Sequence, residues 1–123
     1  MQDTPKNFHK KLLGKVGEKI AEKFLKKSGL KIIEVNKTTP FGEIDIIAKD
    51  KDYTVFVEVK TRLSADFGEP SEAVNFYKRQ HLINSARYYL TSKHLIDTPV
   101  RFDVVEVVGE EKKVNHIVNA FEI

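Results

Sequence analysis

Two short apolar segments of this chain carry charge in places where a strand is expected to be plain. Glu43-Ile44-Asp45-Ile46-Ile47-Ala48 holds two acids, and Val55-Phe56-Val57-Glu58-Val59-Lys60 holds an acid and a base. The β-branched and aromatic content of both predicts strands. Alternation along a strand puts Glu43, Asp45 and Ile47 on one face, with Ile44 and Ile46 on the other. By the same rule Glu58 and Lys60 share a face, and Val55, Val57 and Val59 fill the opposite one. If the two strands pair as a hairpin, Asp45, Glu58 and Lys60 converge at one end of a sheet. Carboxylates crowded together in apolar surroundings are costly unless positive charge compensates them. A divalent cation does so, and hard oxygen ligands suit Mg²⁺ or Mn²⁺. Such a set fits phosphodiester hydrolysis. A metal on Asp45 and Glu58 would polarise the phosphate and lower the pKa of a water. Lys60 would orient that water or stabilise the developing negative charge. A Glu-x-Lys alone is a weak signal that reads more readily as a surface ion pair, but Gly42-Glu43-Ile44-Asp45 one strand earlier strengthens the metal reading.

Those residues need a scaffold, and the rest of the chain predicts one. Leu12, Leu13, Val16, Ile20, Phe24 and Leu25 recur at helical spacing, which predicts an amphipathic helix over about 7–28, with residues 1–7 as a flexible N-terminus. Lys15, Lys19, Lys23 and Lys26 fall on its other side, and Gly29 is the expected stop. Leu30 to Val35 reads as a strand, Thr38 to Gly42 as a turn, and Lys49 to Asp52 as a polar turn between the two charged strands. A polar loop from Ser64 to Pro70 leads into a second amphipathic helix, about Ser71 to Ser92, with Val74, Tyr77, Leu82, Ala86, Tyr89 and Leu90 as its apolar surface. Arg101 to Val108 and Val114 to Phe121 are the last two strands, joined by a Gly-Glu-Glu turn. The order α-β-β-β-α-β-β implies an α/β fold, a mixed sheet flanked by helices, in a single domain over 1–123.

Composition narrows the setting. At 123 residues and 41% hydrophobic content the chain suits one compact core. No apolar run reaches the roughly 18–20 residues that a membrane span needs, and the N-terminus lacks the apolar stretch of a secretory signal. With no cysteine there is neither disulfide nor thiolate metal site, and the cytoplasm is the expected compartment. The net charge of +3 is unevenly spread: residues 1–37 hold ten lysines and four acids, and the remainder holds more acids than bases. That asymmetry fits a polyanion-binding surface beside a separate acidic site, or a solvated lysine-rich helix face.

The pattern Asp45…Glu58-Val59-Lys60 resembles the PD-(D/E)xK nuclease core, with Ile-Asp in place of the usual Pro-Asp. More narrowly, the chain is similar to the YraN family of small bacterial proteins, itself similar to archaeal Holliday-junction resolvases. The matching segments are Gly17-Glu18-x-x-Ala21, Phe24-Leu25, Gly29, Asn36, Gly42 to Ala48 and Val55 to Arg62. They continue with Phe67-Gly68, Glu72-Ala73-Val74, Lys78, Ala86 and Arg101 to Val105. The resemblance implies a restriction-endonuclease-like core. It also implies that Glu18, eleven residues before Gly29, joins Asp45 and Glu58 at the metal; without the family, Glu18 is a boundary glutamate paired with Lys15 or Lys19. Glu43 is a possible further ligand, an anchor for its turn, or a partner for Arg62.

The leading expectation is therefore an Mg²⁺- or Mn²⁺-dependent endonuclease that cuts DNA by structure or with weak specificity, with RNA open. Lys15, Lys19, Arg62 and Lys78 are the candidate phosphate contacts. Arg79 and Gln80 beside Lys78 read as further contacts or as a solvated face. Phe67 and Gly68 shape a loop over the site or simply pack. The four histidines have no shared spacing and are expected to be structural or exposed. Similarity to dimeric resolvases implies a homodimer. Two alternatives stand beside this reading: a nucleic-acid-binding protein that keeps the fold without catalysis, and a structural role with the acids as internal ion pairs.

Overall fold

A computed structural model describes residues 5–62, 75–109 and 113–122. Its element order is α1 (Pro5–Lys27), β1 (Lys31–Thr39), β2 (Gly42–Asp50), β3 (Tyr53–Arg62), α2 (Phe76–Ser92), β4 (Val100–Val108) and β5 (Lys113–Phe121). The expected α-β-β-β-α-β-β order is met. The expected loop at Ser64–Pro70, the helix start at Ser71–Val74 and the Glu110-Glu111 turn lie outside the described residues, as do the side chains of Leu12 and Leu13. The first helix opens at Pro5, earlier than expected, because proline suits the first helical position.

The five strands lie in chain order in one sheet. β1–β2, β2–β3 and β4–β5 are antiparallel, while β3–β4 is parallel, with Val57 opposite Asp103 and Lys60 opposite Glu106. The parallel step requires a crossover, and α2 lies within it. Central strands β3 and β4 are apolar on both faces because each face is covered by a helix. On the α2 side Ile44, Ile47, Phe56, Phe102 and Val104 pack with Leu82, Ala86, Tyr89 and Leu90. On the α1 side Ile46, Ala48, Val55, Val57, Val105 and Val107 pack with Ala21 and Leu25. The alternation expected for β3 holds, whereas that for β2 does not. Ile47 lies with Ile44 in the α2 layer, and Ile46 is in the α1 layer. The phase slips where the ladder to β3 ends, at the pair Ile46–Val57.

Helix α1 also departs from its expected face. Val16 and Ile20 are exposed, while Gly17, Ala21 and Leu25 form the buried row at i, i+4, i+8. The smallest residues face the sheet because the helix comes so close. A Cβ at Gly17 would overlap the Thr61 side chain of β3. Past the last helical residue, Lys27, the chain turns away at Gly29, whose φ of +98° few other residues adopt. Leu30 N–H donates to Leu25 O at 3.0 Å and Gly29 N–H to Lys26 O at 3.1 Å, closing the last carbonyls as expected for that stop. In α2, Asn75 caps the helix by accepting from Lys78 N–H at 3.0 Å. Tyr77 is 74% exposed and takes no part in the core. It precedes Leu82 by five residues, roughly 140° around the helix from the buried row.

Candidate functional site

The chemistry gathers where the hairpin opens. One rung beyond Ile46–Val57, Asp45 would face Glu58, but the strands part there. Instead Asp45 Oδ2 accepts the Val59 N–H at 2.8 Å, so a side chain replaces a backbone carbonyl as acceptor. Glu18 leans in from α1, one residue past the close approach at Gly17, and Glu43 lies two residues before Asp45. One carboxylate oxygen from each of Glu18, Glu43 and Asp45 falls within 4.8 Å of the others.

Asn36 of β1 ties two of them together. It lies between the rungs Val35–Ile46 and Lys37–Ile44, with a left-handed φ of 51°. With its amide turned so that nitrogen faces the acids, Nδ2 donates to Glu43 Oε1 and Glu18 Oε2, both at 3.0 Å. Sequence reasoning did not assign Asn36 a role. The available signal was its type: asparagine is among the few residues that tolerate that backbone region.

The electrostatics follow from crowding. Burial first, then the charges of Glu58, Glu18 and Glu43, raise the Asp45 pKa to about 7, against the lowering effect of the Val59 N–H. Glu18 is also raised, chiefly by burial and then by Glu43 and Glu58, while Asn36 and Lys15 oppose the rise. Glu18 and Asp45, both raised, lie with Glu43 in a cleft of about 480 Å³ that has Lys15 and Lys19 on its wall, and carboxylate oxygens gathered in this way could hold a hard divalent cation. The donor set is of the kind that suits Mg²⁺ or Mn²⁺, and Glu18, Glu43 and Asp45 are the residues that could hold it.

The other expected residues divide. Glu58 stands outside the three-acid group, with Oε1 3.2 Å from Lys78 Nζ, yet its charge still acts on Asp45 and Glu18. Lys60 is half-buried on β3, and alternation puts it on the face of Phe56 and Glu58. Lys15 and Lys19 are exposed at the cleft. Arg62 is placed differently from the expectation of a phosphate contact. Its side chain is 9% exposed, and Nε lies 2.7 Å from Oε2 of buried Glu106, so it forms an internal ion pair. Among the histidines, His81 Nδ1 lies 3.0 Å from Phe41 O. His116 of β5 lies 2.8 Å from Asp103 of β4, a structural place of the kind expected.

Comparison with known proteins places the chain. A model of the uncharacterised protein family UPF0102 matches residues 17–107. The chain is 51% identical over 108 residues to a UPF0102 protein of Clostridioides difficile, covering 88% of this chain and 95% of that one. It is 50% identical over 121 residues to a UPF0102 protein of Caldanaerobacter subterraneus, covering 94% and 99%. A third, from Thermodesulfovibrio yellowstonii, is 51% identical over 109 residues, covering 89% and 95%. The fold and site define an α/β protein with an acidic cleft at a splayed hairpin. The chain belongs to the UPF0102 family, in line with its YraN-like sequence. Among the described residues, no helix is long and apolar enough to cross a membrane.

Proposed function

We propose that this protein is a metal-dependent endonuclease acting on DNA. The observation that carries the proposal is the meeting of Glu18, Glu43 and Asp45 within 4.8 Å, in surroundings that raise Asp45 to about 7. A bound Mg²⁺ or Mn²⁺ would supply Lewis-acid polarisation of the phosphate and a water acidic enough to be deprotonated near neutrality. The chain's own residues do the rest. Asn36 holds two ligands in place by its amide, as outer-shell groups commonly do. Lys15 and Lys19 offer sequence-independent phosphate contacts that draw the backbone across the cleft. Lys60, on the Glu58 face of β3, is the cation assigned to the charge that develops on the phosphate.

A second reading, a nucleic-acid binder that does not cut, draws on the pairing of Glu58 with Lys78 at 3.2 Å, apart from the three-acid group. One experiment separates the two. Labelled four-way junction, linear duplex and single strand are incubated with the protein in Mn²⁺, alongside Asp45→Asn and Lys60→Ala, and Mn²⁺ binding is followed by calorimetry. The nuclease reading expects cleavage lost in both variants and metal binding lost in Asp45→Asn. DNA binding that persists in EDTA and in Asp45→Asn, with no cleavage by the wild type, establishes the second reading instead.

A further inference from the structure

Beside the acidic cleft, aromatic rings lie exposed. Phe41, at the β1–β2 turn, is 47% exposed. Its backbone is held from two sides. Phe41 N–H donates to Thr39 Oγ1 at 3.1 Å, and the carbonyl lies 3.0 Å from His81 Nδ1 of α2. Thr39 Oγ1 in turn pairs with buried Ser85 Oγ at 2.8 Å. On α2, one helical turn before His81, Tyr77 is 74% exposed, and Phe76, 66% exposed, meets it edge-on at 5.8 Å between ring centres. These two are the most exposed large apolar side chains among the described residues. Between the turn and the helix lies a small cleft of about 190 Å³, lined by Phe41, Glu43, Glu58, Lys78 and His81 among others.

Exposed aromatic clusters on a soluble surface mark a binding site more often than chance. The occupant here must tolerate Glu43, Glu58 and Lys78 in the same cleft, which disfavours a purely apolar partner. Its volume lies below the roughly 300 Å³ at which sites for drug-sized ligands begin, so it suits a single flat ring system. We infer that Phe41, which lines this cleft, and Tyr77, one helical turn before the lining residue His81, form a stacking rim for one unpaired base of a DNA strand whose backbone runs over the acidic cleft. Every base offers a π-face, so such a rim selects for an unstacked nucleotide without reading its identity. A continuous duplex keeps its bases in the stack and reaches the rim only by extruding one. The substrate class is thus DNA with an unpaired nucleotide beside the cut: a bulge, a flap, an open junction or a single strand. The inference rests on the nuclease reading for the cut, but not for the stacking.

The test needs no catalysis. A duplex with one unpaired 2-aminopurine and its fully paired counterpart are titrated in EDTA, with anisotropy reporting affinity and 2-aminopurine emission reporting stacking. The wild type is expected to bind the bulged duplex about fivefold or more tighter and to quench its emission, consistent with stacking of one base. Phe41→Ala and Tyr77→Ala should each remove most of that preference and quench, and leave affinity for the paired duplex unchanged. Phe41→Tyr and Tyr77→Phe, which keep a ring, should retain both. Equal affinity for the two duplexes, or alanine variants that still discriminate, overturns the inference; preference for RNA of the same sequence overturns the choice of DNA. Stacking without any cleavage in Mn²⁺ removes the nuclease reading and leaves the rim standing. Cleavage without quench or preference does the reverse.

Discussion

Asp45 on β2 and Asp103 on β4 are both withdrawn from water, with β3 between them. Asp103 is fully buried, and the protein neutralises it from within. Arg101 Nε and Nη2 donate to its two oxygens at 2.9 and 3.0 Å, His116 Nε2 lies at 2.8 Å, and Asn119 N–H donates at 2.9 Å. Arg101 reaches on to Asp50 at 2.8 Å. Burial alone would raise the Asp103 pKa, but the bonds from His116, Arg101 and Asn119 outweigh it and hold the group below its usual value. Asp45 has one backbone donor and three acidic neighbours, and it moves the other way. Size does not separate the regions: the cleft beside Arg101 encloses about 460 Å³ and that beside Asp45 about 480 Å³. The difference lies in whether the chain supplies its own cation. Where it does, the acid is part of the frame; where it does not, the acid keeps a raised pKa, and the proposed function assigns it a cation from outside.

The largest expected effect tests the frame. Arg101→Ala should lower the unfolding free energy by roughly 3–5 kcal/mol in urea titrations, as when one partner of a buried pair is removed, while Mn²⁺ affinity in the folded fraction is unchanged. Asp45→Asn keeps an acceptor for Val59 N–H and should cut cleavage by about 10²–10³-fold, the scale of one lost electrostatic group. Its effect on metal-free stability carries a definite sign. Because the folded-state pKa of Asp45 is raised from 3.8 to about 7, the native state binds more protons in that window, so stability falls as pH climbs through it. Asp45→Asn should flatten this fall and stabilise the metal-free protein at pH 8 by on the order of 2 kcal/mol, part of the linkage value because neighbouring acids share the titration. Asp103 contributes oppositely: its stabilisation is present above 3.8 and lost as pH drops through its lowered folded value. Asn36→Gly retains the left-handed backbone but loses the amide, and should weaken Mn²⁺ binding about tenfold by calorimetry. Lys78→Gln, removing a half-exposed pair, should change stability by less than about 1 kcal/mol. If Asp45→Asn destabilised the metal-free protein while Arg101→Ala abolished metal binding, the comparison would be inverted.

How far these regions could be read in advance depended on what each residue answers to. Asp45 stood out because a charge inside an apolar strand is conspicuous, and the order of elements along the chain followed from the same patterning. Glu18 needed the family resemblance, since a boundary glutamate on a lysine-rich helix has no local mark. The buried face of α1 was misjudged because periodicity weighs Val16 and Ile20 above Gly17 and Ala21, whereas the packing is set by how close Thr61 comes. Arg62 looked available because its partner, Glu106, comes from β4, far along the chain though beside β3 in the sheet. Asn36 stayed hidden because its role depends on a backbone angle and on β1 lying beside α1.

The bond from Val59 N–H to Asp45 makes the sheet end on a side chain at this point. Whatever changes the charge of that carboxylate therefore changes the strength of a backbone hydrogen bond at the fork between β2 and β3. The Val59 amide proton is consequently a built-in gauge. In nuclear magnetic resonance its shift and exchange rate should follow the charge state of Asp45 directly, reading out the centre from the backbone with no label near it.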